Sequence, residues 1–292
     1  MRIAFWLFFA LTWILGLLPL RVLYAISDFL FLIVYYVAGY RIKVVRNNLA
    51  NSFPEKSKVE LRAIEKKFYH HLCDLTLESA ILRHISEKKM KKIVSFSNPE
   101  IMENYRKQGK SIICVTGHYS NWEVLSIYQQ KSSFQVFGIY KPLTNKYFDN
   151  FFIETRERFG VKAVSMEDTV RTLIRYHAQN QPTLSLFVAD QSPTESQIHY
   201  WTTFLNQETG VFTGVERIAQ KMGYPVVFLH IQKIKRGKYN VEAIPVSENS
   251  KDTKPFEITE QHVRILERII RQQPEYWLWS HRRWKHKRPT AT

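Results

Sequence analysis

Ser111-Ile-Ile-Cys-Val-Thr-Gly-His-Tyr-Ser-Asn-Trp-Glu123 combines an apolar strand, a glycine turn and a helix start in thirteen consecutive residues. Ser111 to Thr116 is a short run rich in β-branched residues and stopped by Gly117, the pattern of a buried strand. The chain then turns through His118 and Tyr119 and resumes as a helix, with Ser120 or Asn121 able to cap its N-terminus. Open α/β sheets bind ligands where a strand hands over to a helix. On one continuous helix, side chains five residues apart diverge by about 140°. His118 and Glu123 therefore face each other only if His118 lies in the turn and Glu123 in the first helical turn behind it. A carboxylate on one imidazole nitrogen fixes the tautomer and leaves the other nitrogen free to take a proton. The expectation is a general base, His118, oriented by Glu123. A single histidine in such a turn more often simply packs, so the rest of the chain has to decide between the two.

Outward from this stretch, strands and helices alternate from about Ile93. Asn98-Pro99 starts a helix that Gly109 ends, and Phe134 to Tyr140 reads as a strand. Asn145 to Phe159 is helical, Val161 to Val164 a short strand, Glu167 to His177 a helix, and Thr183 to Ala189 an apolar strand. Thr213 to Met222 is a helix stopped by Gly223. Pro225 to Gln232 and Lys238 to Val246 form two strands around Arg236-Gly237, and Glu260 to Gln272 is an amphipathic helix. This alternation predicts an α/β fold, a mostly parallel sheet covered by helices. Upstream, Ser57-x-x-Glu60 is a capping box opening a helix with an apolar stripe from Leu61 to Leu75.

The N-terminal region is different in kind. Ala4 to Leu20 carries no charge and as a helix would span ~25 Å, near the short end of what crosses a ~30 Å hydrocarbon core. A second apolar run, Val22 to Gly39, is interrupted by Asp28, and Pro19 and Arg21 break the two apart, as an anchor with an interfacial helix or as a shallow hairpin. The expectation is a membrane anchor followed by an interfacial helix over residues 1–40, then one domain over 41–292. No small-x-small cleavage site follows the run, which argues against a signal peptide. Arg21, Arg41, Lys43 and Arg46 follow the anchor, placing the body of the protein on the cytoplasmic side.

Forty-two Lys and Arg against 26 Asp and Glu give a net charge of +16, which points to anionic partners. Cys73 and Cys114 form no CxxC, and neither a disulfide framework nor a metal site is expected. No Gly-x-Ser-x-Gly elbow or P-loop is present, nor a nucleic-acid recognition signature, so a serine nucleophile, a nucleotide and nucleic acid are not expected. The basic run His281-Arg-Arg-Trp-Lys-His-Lys-Arg288 reads as an electrostatic footprint with aromatic anchors, or as a solvated tail at Lys287 and Arg288.

Gly117-His118-Tyr119-Ser120-Asn121-Trp122-Glu123 resembles the His-x4-Asp/Glu block of the glycerolipid-type acyltransferases, and more narrowly the bacterial late acyltransferases of lipid A biosynthesis. Four further stretches resemble that family in order. They are Arg46-Asn47-Asn48-Leu49; Tyr140-Lys-Pro-Leu-Thr-Asn145 with Asp149 and Arg156-Glu-Arg158; Asp190-Gln191 with Phe204 and Thr213-Gly214; and Trp279-Ser-His-Arg-Arg-Trp-Lys285. The resemblance implies a membrane-bound enzyme of the inner membrane that moves a fatty acyl chain from acyl carrier protein, or acyl-CoA, to a hydroxyl of an anionic lipid A precursor, with no cofactor. It implies substrate-binding roles for Lys141, Asn145, Arg156, Arg158, Asp190, Arg282 and Arg283. Arg156 and Arg158 diverge by about 200° on a helix, so one of the two is expected to face the site. Lys141 stands where the family more often has arginine; it keeps the charge and loses two-pronged phosphate recognition. Two alternatives stay open: the same chemistry on a lysophospholipid, glycolipid or aminolipid, and a basic membrane-surface protein without catalysis.

Overall fold

In the computed structural model, which describes residues 2–289, the chain opens with two apolar helices, α1 (Arg2–Leu17) and α2 (Leu20–Leu32), the second running on through a π-helical turn over Ile33–Val37. Pro19 separates them: its φ of -60° suits a helix start, and it has no N–H to leave unpaired there. The second run, Leu20–Val37, is long and apolar enough to cross a bilayer, with a mean hydropathy of 1.8. The first run ends at Pro19 as α1, whose 16 residues reach ~24 Å. Asp28, the charge that interrupted the second run, meets Arg236 at 2.6 Å.

The rest follows in chain order: α3 (Ile42–Ser52), α4 (Lys58–Ile81), α5 (Glu87–Ile93), β1 (Val94–Ser97), α6 (Glu100–Lys107), β2 (Ile112–Thr116), β3 (Gln135–Tyr140), α7 (Lys146–Glu157), β4 (Lys162–Ser165), α8 (Thr169–Ala178), β5 (Thr183–Val188), β6 (Tyr200–Phe204), β7 (Gln207–Val211), α9 (Gly214–Met222), β8 (Val226–Lys235), β9 (Lys238–Ser247) and α10 (Glu257–Gln272). The capping box opens α4 as its spacing demands, with Ser57 N–H donating to Glu60 Oε2 at 2.7 Å and Glu60 N–H to Ser57 Oγ at 3.3 Å. Leu15 of α1 and Leu23 of α2 pack with Leu77 and Ile81 of α4, and Phe8 meets Phe151 of α7 edge-on at 5.2 Å between ring centroids.

Seven strands make one sheet in the order β1-β9-β8-β2-β5-β3-β4, parallel except for the β8–β9 hairpin. Arg236-Gly237 forms that hairpin's turn, with Gly237 at φ +72°. β6 and β7 pair antiparallel outside the sheet. β2 is buried along its whole length, as a central strand with neighbours on both edges must be. Its register fixes the site: Thr116 of β2 lies opposite Val188 of β5. Two residues past that pair, both parallel strands leave the sheet at the same edge, delivering His118 and Asp190 side by side. The segment after His118 is a 3-10 helix, Trp122–Lys131, rather than the expected α-helix. It is preceded by Ser120 in the left-handed region, φ +57°.

Candidate active site

The imidazole of His118 is held by Asp190. His118 Nδ1 lies 2.6 Å from Asp190 Oδ1, and the backbone N–H of His118 donates to Asp190 Oδ2 at 2.9 Å. The Trp277 indole donates to the same Oδ2 at 2.7 Å. Burial works to raise the Asp190 pKa; the charge of His118 and these hydrogen bonds outweigh it and hold the carboxyl below its ordinary range. An ionised carboxylate only accepts, so Nδ1 carries the proton and Nε2 is the free, basic nitrogen. The Gln191 amide nitrogen sits 3.1 Å from Nε2. The His118 side chain is 18% exposed and that of Asp190 4%, so the imidazole can be reached from outside and its partner cannot. Gly117 is required for this approach: a Cβ there would lie 3.2 Å from Asp190 Oδ2 and 2.9 Å from Leu266.

Glu123 is not the partner of His118, and the sequence expectation is corrected here. Its carboxylate accepts from Arg156 Nη2 at 2.8 Å and Nε at 3.2 Å, and from the Trp122 indole at 3.2 Å. Trp122 meets the imidazole edge-on, 4.7 Å between ring centroids. Burial pushes the Glu123 pKa up, but Arg156, the indole and the charge of His118 bring it below its ordinary range. Glu123 therefore acts on His118 across space, as a fixed negative charge whose own bonds are spent on Arg156.

Residues 1–286 match the family described as bacterial lipid A biosynthesis acyltransferase. The chain belongs to that family. It is 23% identical over 282 residues to the lipid A biosynthesis lauroyltransferase of Escherichia coli (strain K12), covering 96% of this chain and 90% of the relative. It is 20% identical over 236 residues to a lipid A biosynthesis acyltransferase of Haemophilus influenzae, covering 80% of this chain and 72% of that one.

Around the paired histidine, this lipid A acyltransferase family member distributes its other candidate residues unevenly. Arg156 joins the site through Glu123, whereas Arg158 donates to the carbonyl of Arg83. Asn145 caps α7, its Oδ1 accepting from Tyr147 N–H at 3.0 Å, and Asp149 accepts from Leu143 N–H at 2.8 Å. These bonds shape the turn into α7. Lys141 and Arg282 are exposed. Arg283 is 2% exposed and donates to Thr209 Oγ1 and to Gly210 O. A side chain so enclosed cannot reach a lipid phosphate, and that expectation is corrected. Burial brings its pKa down to about 10 against the opposing pull of Asp190.

The C-terminal signature turns out to be a wall of the site, a role the sequence reading missed. Leu278 N–H donates to His118 O at 3.1 Å and Ser120 N–H to Tyr276 O at 2.8 Å, so the segment runs as a short antiparallel bridge along the His118 turn. His281 Nε2 accepts from Ser192 N–H at 3.2 Å, fixing the loop that carries Asp190. Asn48 of α3, from the early Arg-Asn-Asn-Leu stretch, holds this wall through the carbonyls of Trp279 at 2.8 Å and His281 at 2.9 Å. Arg46 is taken by Glu65 at 3.1 Å. An asparagine inside a helix is a poor helix former unless its amide has a partner elsewhere; that was the available signal.

Proposed function

We propose that this chain moves a fatty acyl group from an acyl carrier protein thioester to a hydroxyl of a lipid A precursor, with His118 as general base and Asp190 as the group that orients it. The observation that carries the reading is the His118–Asp190 bond, which leaves Nε2 as the accepting nitrogen of a part-exposed ring, in a chain of this family. The acceptor hydroxyl takes the place of the Gln191 amide at Nε2 and gives up its proton there as its oxygen attacks the thioester carbonyl carbon. The tetrahedral intermediate collapses, the C–S bond breaks, and the leaving thiolate recovers the proton from the imidazolium. Asp190 and Glu123 both favour that imidazolium while it lasts. The +16 charge suits an acidic carrier and a phosphorylated acceptor. The exposed apolar residues of α1, α2 and the π-helical turn, among them Trp6, Trp13, Phe29 and Val37, would seat the chain in the inner membrane.

The test is transfer by purified protein from an acyl carrier donor, with acyl-CoA as the rival donor, to a panel of lipid acceptors. Lipid A precursor is the expected acceptor, and His118→Ala should reduce turnover roughly 10²–10⁴-fold, the usual worth of a general base. Wild-type turnover in that variant, or transfer only to lysophospholipid, overturns the reading.

A further inference from the structure

The turn that carries His118 cannot hold its own shape. Ser120 has φ +57°, a conformation that is strained for a non-glycine residue and persists only where its surroundings impose it. Beside the Tyr276 carbonyl that takes the Ser120 N–H, the restraint comes from α4, a helix that contributes nothing to the reacting groups themselves. His71 Nε2 lies 3.2 Å from Ser120 O. Its Nδ1 faces the Lys233 ammonium at 3.2 Å. An ammonium can only donate, so Nδ1 is the accepting nitrogen and Nε2–H donates to Ser120 O. Two helical turns on, Glu78 takes the next residue: Asn121 Nδ2 donates to Glu78 Oε2 at 2.7 Å. The same carboxylate accepts from Tyr239 of β9 at 2.6 Å and from Tyr24 of α2 at 2.8 Å. Glu78 thus ties the membrane-side helix, the sheet and the reacting turn to one group.

We propose that Glu78, with His71 beside it, is a positioning residue for the acyl transfer, acting on His118 through Asn121 and Ser120. This rests on the reading of His118 as the base, and it goes beyond that reading by assigning the angle of the imidazole to α4. Asn121→Asp sets a second carboxylate against Glu78 where the amide donated, and a misplaced base loses rate without losing substrate affinity. Expected for N121D is a fall in kcat of roughly tenfold or more with KM for both substrates little changed. The Nδ1 proton of His118, bonded to Asp190 and visible by proton NMR without any turnover, should shift. Adding Glu78→Gln reverses the polarity of the contact, since the amide introduced on α4 can then donate to the carboxylate introduced in the turn, and should return both readouts toward wild type. Tyr24→Phe, which loosens α2 and leaves the Asn121 contact intact, should leave both unchanged. If N121D does not fold, Asn121→Ala leaves Glu78 both its tyrosine donors and carries the same expectation. Unchanged kcat and an unchanged Nδ1 proton in N121D or N121A overturn the proposal, as does failure of E78Q to rescue a folded N121D. A wild-type protein without transferase activity would remove the function reading while leaving the NMR arm to decide this one.

Discussion

Two carboxylates flank one imidazole, and they are built in opposite ways. On one side Asp190, at the end of β5, is buried, saturated by three donors and bonded to His118 Nδ1 at 2.6 Å. On the other side Glu123, five positions along the chain from the histidine, is bonded to Arg156 and Trp122 and reaches the ring only through its field. The nearer residue in sequence is the more distant in bonding. A tautomer is fixed by a hydrogen bond; the energy of a charged intermediate also responds to charges that make no bond to it. The Asp190 side settles which nitrogen is free, and the Glu123 side tunes what happens when that nitrogen gains a proton.

The sharpest way to break this contrast is Asp190→Asn. The carboxamide keeps the volume and can donate to Nδ1, which would move the imidazole proton to Nε2 and leave no base facing the acceptor. A loss in kcat of roughly 10³–10⁴-fold is expected, the scale seen when an orienting carboxylate is neutralised and the tautomer inverts. Steady-state kinetics on the purified variant decides it; a loss under tenfold would hand the orienting role back to Glu123.

Glu123→Gln should do less. The ring keeps its partner, but the Arg156 cation is left uncompensated beside a group that must become positive, and roughly a tenfold loss in kcat follows, the worth of one pKa unit. Arg156→Gln alone removes the cation and leaves Glu123 buried without its partner. If the two act as a pair, the double variant should be better than the product of the singles, with a coupling of about 1 kcal/mol. Strict additivity would mean that Arg156 meets the substrate independently of Glu123.

What was legible in the sequence follows the same division between local and distant causes. The His118 turn could be read because a branched strand, a glycine and a capping residue are consecutive. That Asp190 shares its sheet edge follows from the strand alternation, but its bond to His118 depends on the register of β2 on β5, which pairs residues 72 positions apart. Spacing alone offers only local partners to a histidine, so it pointed to Glu123. Arg283 was misread because charge reads as surface, whereas this side chain exchanges solvent for two oxygens of β7 and an enclosed place beside Asp190. The β6–β7 hairpin escaped because its first strand, Tyr200 to Phe204, is only partly buried and shows no clean alternation. At the N-terminus, the division was legible because a proline without an N–H stands between two apolar runs, and the longer continuous helix begins just after it, at Leu20–Val37.

Acid separates the two sides by a smaller effect. His281, whose Nε2 accepts from Ser192 N–H, is held by burial at a pKa of about 4. A histidine whose folded pKa lies below its unfolded value of ~6.5 lends stability that is complete above ~6.5 and is lost as pH falls from there toward the folded value. Asp190 and Glu123, with folded pKa values below their ordinary range, lend stability present above ~4 and lost only as pH falls further. Between pH ~6.5 and 4 the Asp190 loop should therefore loosen first, because protonated His281 can no longer accept from Ser192, while the Glu123–Arg156 pair stands. Hydrogen exchange should quicken across residues 190–192 before it does across 122–131. His281→Gln keeps an oxygen acceptor that does not titrate in this range, so it should delay that quickening and flatten part of the pH dependence of Tm. His71 and His262, also held low at about 3 and about 4, account for part of the slope that remains. Equal loosening of both segments at pH 5 would show that the two carboxylates share one support, and the contrast between them would then be one of bonding alone.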